Sequence, residues 1–233
     1  MATIQRKMSR TSIIIGSRGS KLALTQSELV KQHIVQKYPN NSVEIKIIKT
    51  SGDLDLTKPI SELGGKGIFI KEIEQALVDK EIDIAVHSFK DITTQMHPDL
   101  ELPGFLKPEA TEDTLVYTKK TILKELPKNA RIGTGSLRRK ILLHQVRPDL
   151  EMVPIRGNVE TRIEKLKSEN LDAVILSEAG LIRLGIKPEF KEVLDPNTFF
   201  PAPGQGVISI QTRRSDYDIK QKVEEISHPI QTR

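Results

Sequence analysis

The 233-residue chain carries 36 Lys and Arg against 31 Asp and Glu, a net charge of +5, with 37% hydrophobic, 29% charged and 4% aromatic residues. This is the make-up of one large or two smaller folded domains with an aliphatic core, too apolar for disorder. The lack of cysteine excludes disulfides, thiolate metal sites and cysteine nucleophiles.

The mild basic excess suits nucleic acid, an anionic membrane or an acidic metabolite equally, so placement of the charges must decide. No run of five like charges occurs, and Arg138 and Arg139 stand alone beside aliphatic residues, which argues against a nucleic-acid tail. No apolar stretch approaches a membrane span and the first residues lack a signal-peptide pattern. A cytoplasmic protein that binds neither nucleic acid nor membrane is expected.

Residues 12–16 are a short β-branched run, followed by a polar turn at 17–20 and a helical pattern over 21–38 with Leu22, Leu29, Ile34 and Val35 apolar. Residues 43–49 alternate as a strand. Gly64, Gly65 and Gly67 form a flexible loop before a helix over 68–78, and 82–86 is a short buried strand. Strands over 115–117, 130–133, 151–155 and 173–176 then alternate with helices over 137–146 and 159–168. Such alternation predicts an α/β fold with mixed, mainly parallel sheets covered by helices.

Residues 97–114 hold three prolines and a glycine without an apolar period, which predicts a linker between two lobes. A second crossing is expected at 200–206, before a last strand over 207–212. If that strand returns to the first lobe, residues 10–106 and 207–233 form lobe 1 and residues 107–206 form lobe 2. A hinge crossed twice suits a cleft that opens and closes.

Arginines gather where strands run into helices. Arg18 and Ser20 lie at the first such junction, where they either bind an anion together with free backbone N–H groups or merely cap the helix and meet solvent. The junction at 131–140 reads GTGS before Leu137, Arg138 and Arg139, so small residues admit a ligand oxygen and two guanidinium groups stand ready for carboxylates. A third junction has Asn158 as N-cap, Arg156 before the helix and Arg162 inside it. Ligands of open α/β sheets bind at the carboxyl ends of strands, where these junctions lie. Lys66 in the glycine loop and Arg183 near a helix C-terminus can join the cluster, although the helix dipole accounts equally for Arg183.

The segment His87, Ser88, Phe89, Lys90, Asp91 also emerges at a strand's carboxyl end. Asp91 is the acid of this loop and has a cation beside it, so it either stabilises positive charge on a substrate or forms an ordinary pair at a solvated turn. His87 is either a general base or a buried structural histidine, and nothing nearby completes a nucleophilic triad. No nucleotide-binding glycine motif and no metal-ligand spacing occurs.

Taken together, the strings IGSRGSKLAL, TSGD, GGKGIFIKEIEQAL, DIAVHSFKD, IGTGSLRR, RPDL, IRGNVETR, LDAVILSEAGLIRLG and PAPGQGVISI closely resemble the hydroxymethylbilane synthase, or porphobilinogen deaminase, family. The resemblance implies two periplasmic-binding-protein-like (type 2) lobes. It also implies a transferase that condenses four porphobilinogen molecules into a linear tetrapyrrole with release of ammonia, in tetrapyrrole and haem biosynthesis. Porphobilinogen bears an acetate and a propionate, which would explain the arginines. By the same resemblance Asp91 is the catalytic aspartate. Arg18, Ser20, Asp53, Lys66, Phe69, Ser88, Lys90, Thr134, Ser136, Arg138, Arg139, Arg156, Gly157, Arg162, Arg183 and Gln205 fall on positions that bind or border substrate and cofactor.

The family's cofactor is a dipyrromethane joined by a thioether to a cysteine in a third domain. This sequence stops at Arg233 and has no cysteine, so the resemblance implies a dipyrromethane held noncovalently or lost, with a separate polypeptide as a possible source of the third domain. A short enzyme, a module that only binds pyrrole polycarboxylates, and a fragment of a longer enzyme are the three readings. Gly135 where GTSSLRR is usual, and Pro203 where valine is common, are minor departures.

Overall fold

The computed structural model describes residues 10–54, 67 and 70–229. In chain order its elements are β1 (Ser12–Ser17), α1 (Lys21–Lys37), β2 (Ser42–Ile47), α2 (Ser51–Leu54), α3 (Lys71–Val78), β3 (Ile84–Ser88), β4 (Leu100–Phe105), β5 (Asp113–Tyr117), β6 (Arg131–Gly133), α4 (Leu137–Val146), β7 (Glu151–Val153), α5 (Val159–Ser168), β8 (Ala173–Ser177), α6 (Glu178–Arg183), β9 (Lys191–Val193), β10 (Ile208–Arg213) and α7 (Tyr217–Ile226).

The strands form two five-stranded sheets, ordered β2-β1-β3-β10-β4 and β7-β6-β8-β5-β9. In the first, β1 runs parallel to β2 and β3, and β10 lies antiparallel to β3 and β4. In the second, β6 runs parallel to β7 and β8, and β5 lies antiparallel to β8 and β9. Both sheets are therefore mixed and share one plan. Parallel neighbours need a long crossover, which α1 supplies between β1 and β2 and α4 between β6 and β7.

Local sequence accounts for these elements. The SIIIGS run is β-branched and buries Ile13 and Ile15. Ser20 caps α1 by accepting from the Ala23 N–H at 3.3 Å, and Val30 and Ile34, one turn apart, face the sheet. With Ile84, Val86, Ile208 and Ile210 they build the first core. Leu115, Ile132, Leu143, Ala173 and Ile175 build the second. Truncating a side chain such as fully buried Leu143 to alanine costs about 2–5 kcal/mol.

The expected linker over 97–114 is corrected in part, because β4 lies within it and pairs with β10. β4 is an edge strand, where Pro103 is tolerated, and so it lacked the period of a central strand. The chain leaves the first sheet after β4 and enters the second at β5. It leaves β9 and returns through residues 200–206 to β10. Besides β4, three elements escaped the sequence reading: the short helix α2, the three-residue edge strand β9, and α7, whose Ile219 and Val223 close the first core.

Candidate functional site

β3 ends at Ser88, and Phe89–Asp91 form one 3-10 turn. The turn is pinned from behind: the Phe89 N–H donates to the Val207 carbonyl at 2.9 Å, and its ring meets Phe105 edge-on at 4.9 Å between centroids. Gly204 has a φ of +72°, and a Cβ there would lie 2.6 Å from the Phe89 ring. Lys90 is thereby turned toward the second crossing, and both it and Asp91 are half-buried.

Lys90 Nζ donates to Gln205 Oε1 at 3.4 Å. Gln205, 2% exposed, donates through Nε2 to the Thr111 carbonyl at 2.6 Å and to Asp113 Oδ1 at 3.0 Å. The two crossings are thus stitched to each other, and the Glu109 N–H adds a bond to the Gly206 carbonyl at 3.0 Å. Arg183 donates to that same carbonyl at 2.6 Å. Burial lowers the proton affinity of Arg183, against the nearby charge of Glu109.

Asp113 opens β5 with no exposed surface. Arg139 reaches its Oδ1 with Nε at 3.1 Å and NH2 at 2.7 Å, and gives NH1 to the Ile175 carbonyl at 3.0 Å. Arg138 NH1 lies 2.7 Å from Asp113 Oδ2 and also donates to the Phe200 carbonyl at 2.5 Å. Burial pushes the Asp113 carboxyl up, but the charges and hydrogen bonds of Arg139 and Arg138 prevail and hold it below the usual carboxylate value. Thr134 and Ser136 shape the turn into α4: the Thr134 hydroxyl accepts from the Ser136 N–H at 3.2 Å, and Ser136 caps Arg139 N–H at 3.4 Å.

At the third junction Asn158 caps α5 through the Thr161 N–H at 2.8 Å. Gly157 adopts a φ of +117°, and any Cβ there would strike Thr161 at 2.7 Å. That turn lets Arg162 Nε donate to the Gly157 carbonyl at 2.8 Å. Burial lowers the Arg162 pKa to about 10, helped by Arg139 and Arg156 and opposed by Asp91. Lys90 is lowered to about 8 by burial and by Arg139 and Arg162, with Asp91 and Asp113 opposing. Asp91 therefore lies within the electrostatic reach of cations from both sheets.

The remaining expected residues divide. Ser88 exchanges hydrogen bonds with Gln26 of α1 at 2.9 and 3.2 Å. Arg18 follows β1, half-buried, and its charge reaches His87. Ser20 is engaged in capping. His87, buried, bonds Gln211 Oε1 at 3.0 Å, and Gln211 Nε2 donates to Glu74 at 2.7 Å. Burial drops the His87 pKa to about 4, so it is neutral at physiological pH. Asp53 falls in α2, but its side chain lies outside the described residues, as do Lys66 and Phe69.

Sequence reasoning missed Asp113, Gln26 and Gln211. A buried strand that opens on an aspartate was the available signal, because such an acid needs a partner. An apolar groove of about 470 Å³ lined by Leu24, Leu29, Ile45 and Ile47 holds none of the expected site residues. Among the described residues no cluster of His, Asp and Glu could hold a metal ion, and no helix is long and apolar enough to cross a membrane.

A family model described as porphobilinogen deaminase, dipyromethane cofactor binding domain, matches residues 13–221. The chain belongs to the porphobilinogen deaminase family. The porphobilinogen deaminase of Rickettsia bellii (strain OSU 85-389) is 47% identical over 218 residues, covering 93% of this chain and 73% of that protein. That of Geobacter sp. (strain M21) is 46% identical over 222 residues, covering 95% and 70%.

Among solved structures, a putative methionine-binding lipoprotein from Bacillus subtilis subsp. subtilis str. 168 matches with a TM-score of 0.56 at 15% identity, over 94% of this chain and 91% of that one. The methionine-binding protein MetQ matches at 0.55 and 14%, over 93% and 89%. The fold is thus of the periplasmic-binding-protein type 2 class.

Porphobilinogen deaminases are transferases of tetrapyrrole biosynthesis, and the matched model is their dipyrromethane-binding part. The donor set fits that group. Arg139 and Arg156 each repel Arg162, and ligand carboxylates would relieve that repulsion. With no cysteine in the sequence, the residues that fit here act by charge and hydrogen bonding.

Proposed function

We propose that this chain carries out the porphobilinogen deaminase reaction: head-to-tail condensation of four porphobilinogen units into a linear tetrapyrrole, with one ammonia released per unit. The observation that carries the reading is Asp91, seated beside Lys90 and acting electrostatically on Arg162, in a chain of a dipyrromethane-binding family.

Arg138, Arg156, Arg162 and Lys90 bind the acetate and propionate groups, with Arg183, Arg18, Ser20, Ser88, Thr134, Ser136 and Gly157 bordering the same cleft. Residues 10–106 with 207–233, and 107–206, act as the lobes, a division supported by the two sheets and the paired crossings. The C–N bond of the substrate's protonated aminomethyl group breaks with its electron pair leaving on ammonia. The cation that remains spreads into the pyrrole ring, and the Asp91 carboxylate stabilises it in a site partly shielded from water. When bound, the dipyrromethane supplies the free pyrrole carbon from which the product grows. A cytoplasmic location belongs to the same proposal and rests on the family's biosynthetic role.

The test is Asp91→Asn, assayed for ammonia release and for porphobilinogen binding by calorimetry. Loss of turnover by about a hundredfold or more with binding retained is expected. Wild-type protein that binds porphobilinogen at micromolar concentration yet releases no ammonia overturns the proposal in favour of a binding module.

A further inference from the structure

The contacts around Asp113 lead, through Gln205, to Lys90 after the first sheet's β3. Its carboxylate, wholly buried, meets Arg139 twice, Arg138 once and Gln205 once. Three donors from one helix start and one hinge residue thus close on one acid. Gln205 has its amide nitrogen committed to Asp113 and the Thr111 carbonyl, so its oxygen is aimed the other way, at Lys90 Nζ. An amide free to flip would present either end; here the acid, together with the Thr111 and Glu112 carbonyls, fixes which end faces the lysine.

We propose that Asp113 is a positioning residue: it holds Arg138 and Arg139 at the start of α4 against Gln205 on the second crossing, and through Gln205 it holds the Lys90 ammonium beside Asp91. The role rests on the reaction proposed above, because Lys90 and Asp91 matter only if the cleft acts on an anionic substrate carrying an amine. Asp113 touches no reacting atom. It aims the groups that do, and it offsets part of the positive charge of the arginine pair, so the cleft's cations crowd one another less.

Four charged groups face Lys90: Arg139 and Arg162 disfavour its charged form, Asp91 and Asp113 favour it. Removing the Asp113 charge leaves the arginines less opposed. The same loss weakens one of the three contacts that orient the Gln205 amide nitrogen, which also donates to the Thr111 and Glu112 carbonyls, so the acceptor facing Lys90 is held less firmly. Both effects push the lysine toward its neutral form.

The experiment is competitive acetylation of the full chain with acetic anhydride across pH 6–10, followed by mass spectrometry of the Lys90 peptide, with exposed Lys119 as control. Lys90 in the wild type is expected to become reactive with a midpoint near 8. In Asp113→Asn the midpoint should fall by about half a pH unit or more while Lys119 stays put. Gln205→Met, which leaves the Asp113–Arg139 pair intact, should move it in the same direction, and this variant decides the matter if Asp113→Asn does not fold. A Lys90 midpoint unchanged in the folded variants overturns the proposal. The labelling needs no turnover, so a wild type without ammonia release would overturn the proposed reaction while leaving this result readable. Where turnover is present, the alkaline limb of the pH–rate profile should shift down together with the Lys90 midpoint, which a purely structural aspartate would not cause.

Discussion

Arg139 and Asp113 form a buried, twofold contact, with Nε at 3.1 Å and NH2 at 2.7 Å from one carboxylate oxygen. Neither side chain has more than 7% of its surface exposed. An arginine expected from sequence to greet ligand carboxylates is thus turned onto a carboxylate of its own chain. Arg138 keeps a quarter of its side chain exposed.

Asp113→Ala should destabilise the protein by about 3–5 kcal/mol, since it leaves a buried guanidinium without its counter-charge. The native carboxyl is held below its ordinary value, so its contribution is present above the unfolded-state pKa and is lost as pH falls through the lower folded value. Urea denaturation should therefore show a wide gap between wild type and variant at pH 7 that narrows below about pH 4.

His87 shifts stability in the opposite part of the scale from a paired histidine. Its folded pKa of about 4 lies below the ordinary 6.5, so the unfolded chain binds the proton first. Stability is full above pH 6.5 and falls progressively toward pH 4, by roughly 3 kcal/mol if no other group compensates. His87→Gln should flatten that decline, as followed by thermal unfolding between pH 4 and 7.

Gly206 has a φ of +84°, and a Cβ there would lie 2.7 Å from the carbonyl oxygens of Glu109 and Ala110. Gly206→Ala should cost about 1–3 kcal/mol and force the crossings apart. Because Arg183 and the Glu109 N–H both donate to the Gly206 carbonyl, porphobilinogen affinity should weaken as well, measurable by calorimetry.

Arg162→Ala should weaken binding of porphobilinogen by about tenfold or more, the loss of one charge-assisted carboxylate contact. The wild-type affinity should fall as salt rises, and the variant's salt dependence should be shallower. Equal affinities of the two proteins at low salt would show that Arg162 does not meet the ligand.

The order of strands and helices was written in the sequence wherever an apolar period had room to show: SIIIGS for β1, the capped 21–38 pattern for α1, LRRKILLHQV for α4. Periodicity reflects which face a residue must bury, and that is a local property of the chain. β4 and β9 carried no such mark, because an edge strand is half-exposed and tolerates Pro103 or charged neighbours. The gathering of arginines was equally legible, since Arg18, Arg138, Arg139, Arg156 and Arg162 each stand at a strand-to-helix junction. Which arginine is taken up by an acid of the chain itself was decided only in three dimensions. Asp113 is 25 residues from Arg138 and 92 from Gln205 in the chain, and an acid, a guanidinium and an amide so far apart in sequence find each other only once the second sheet has formed and the return crossing has closed against it.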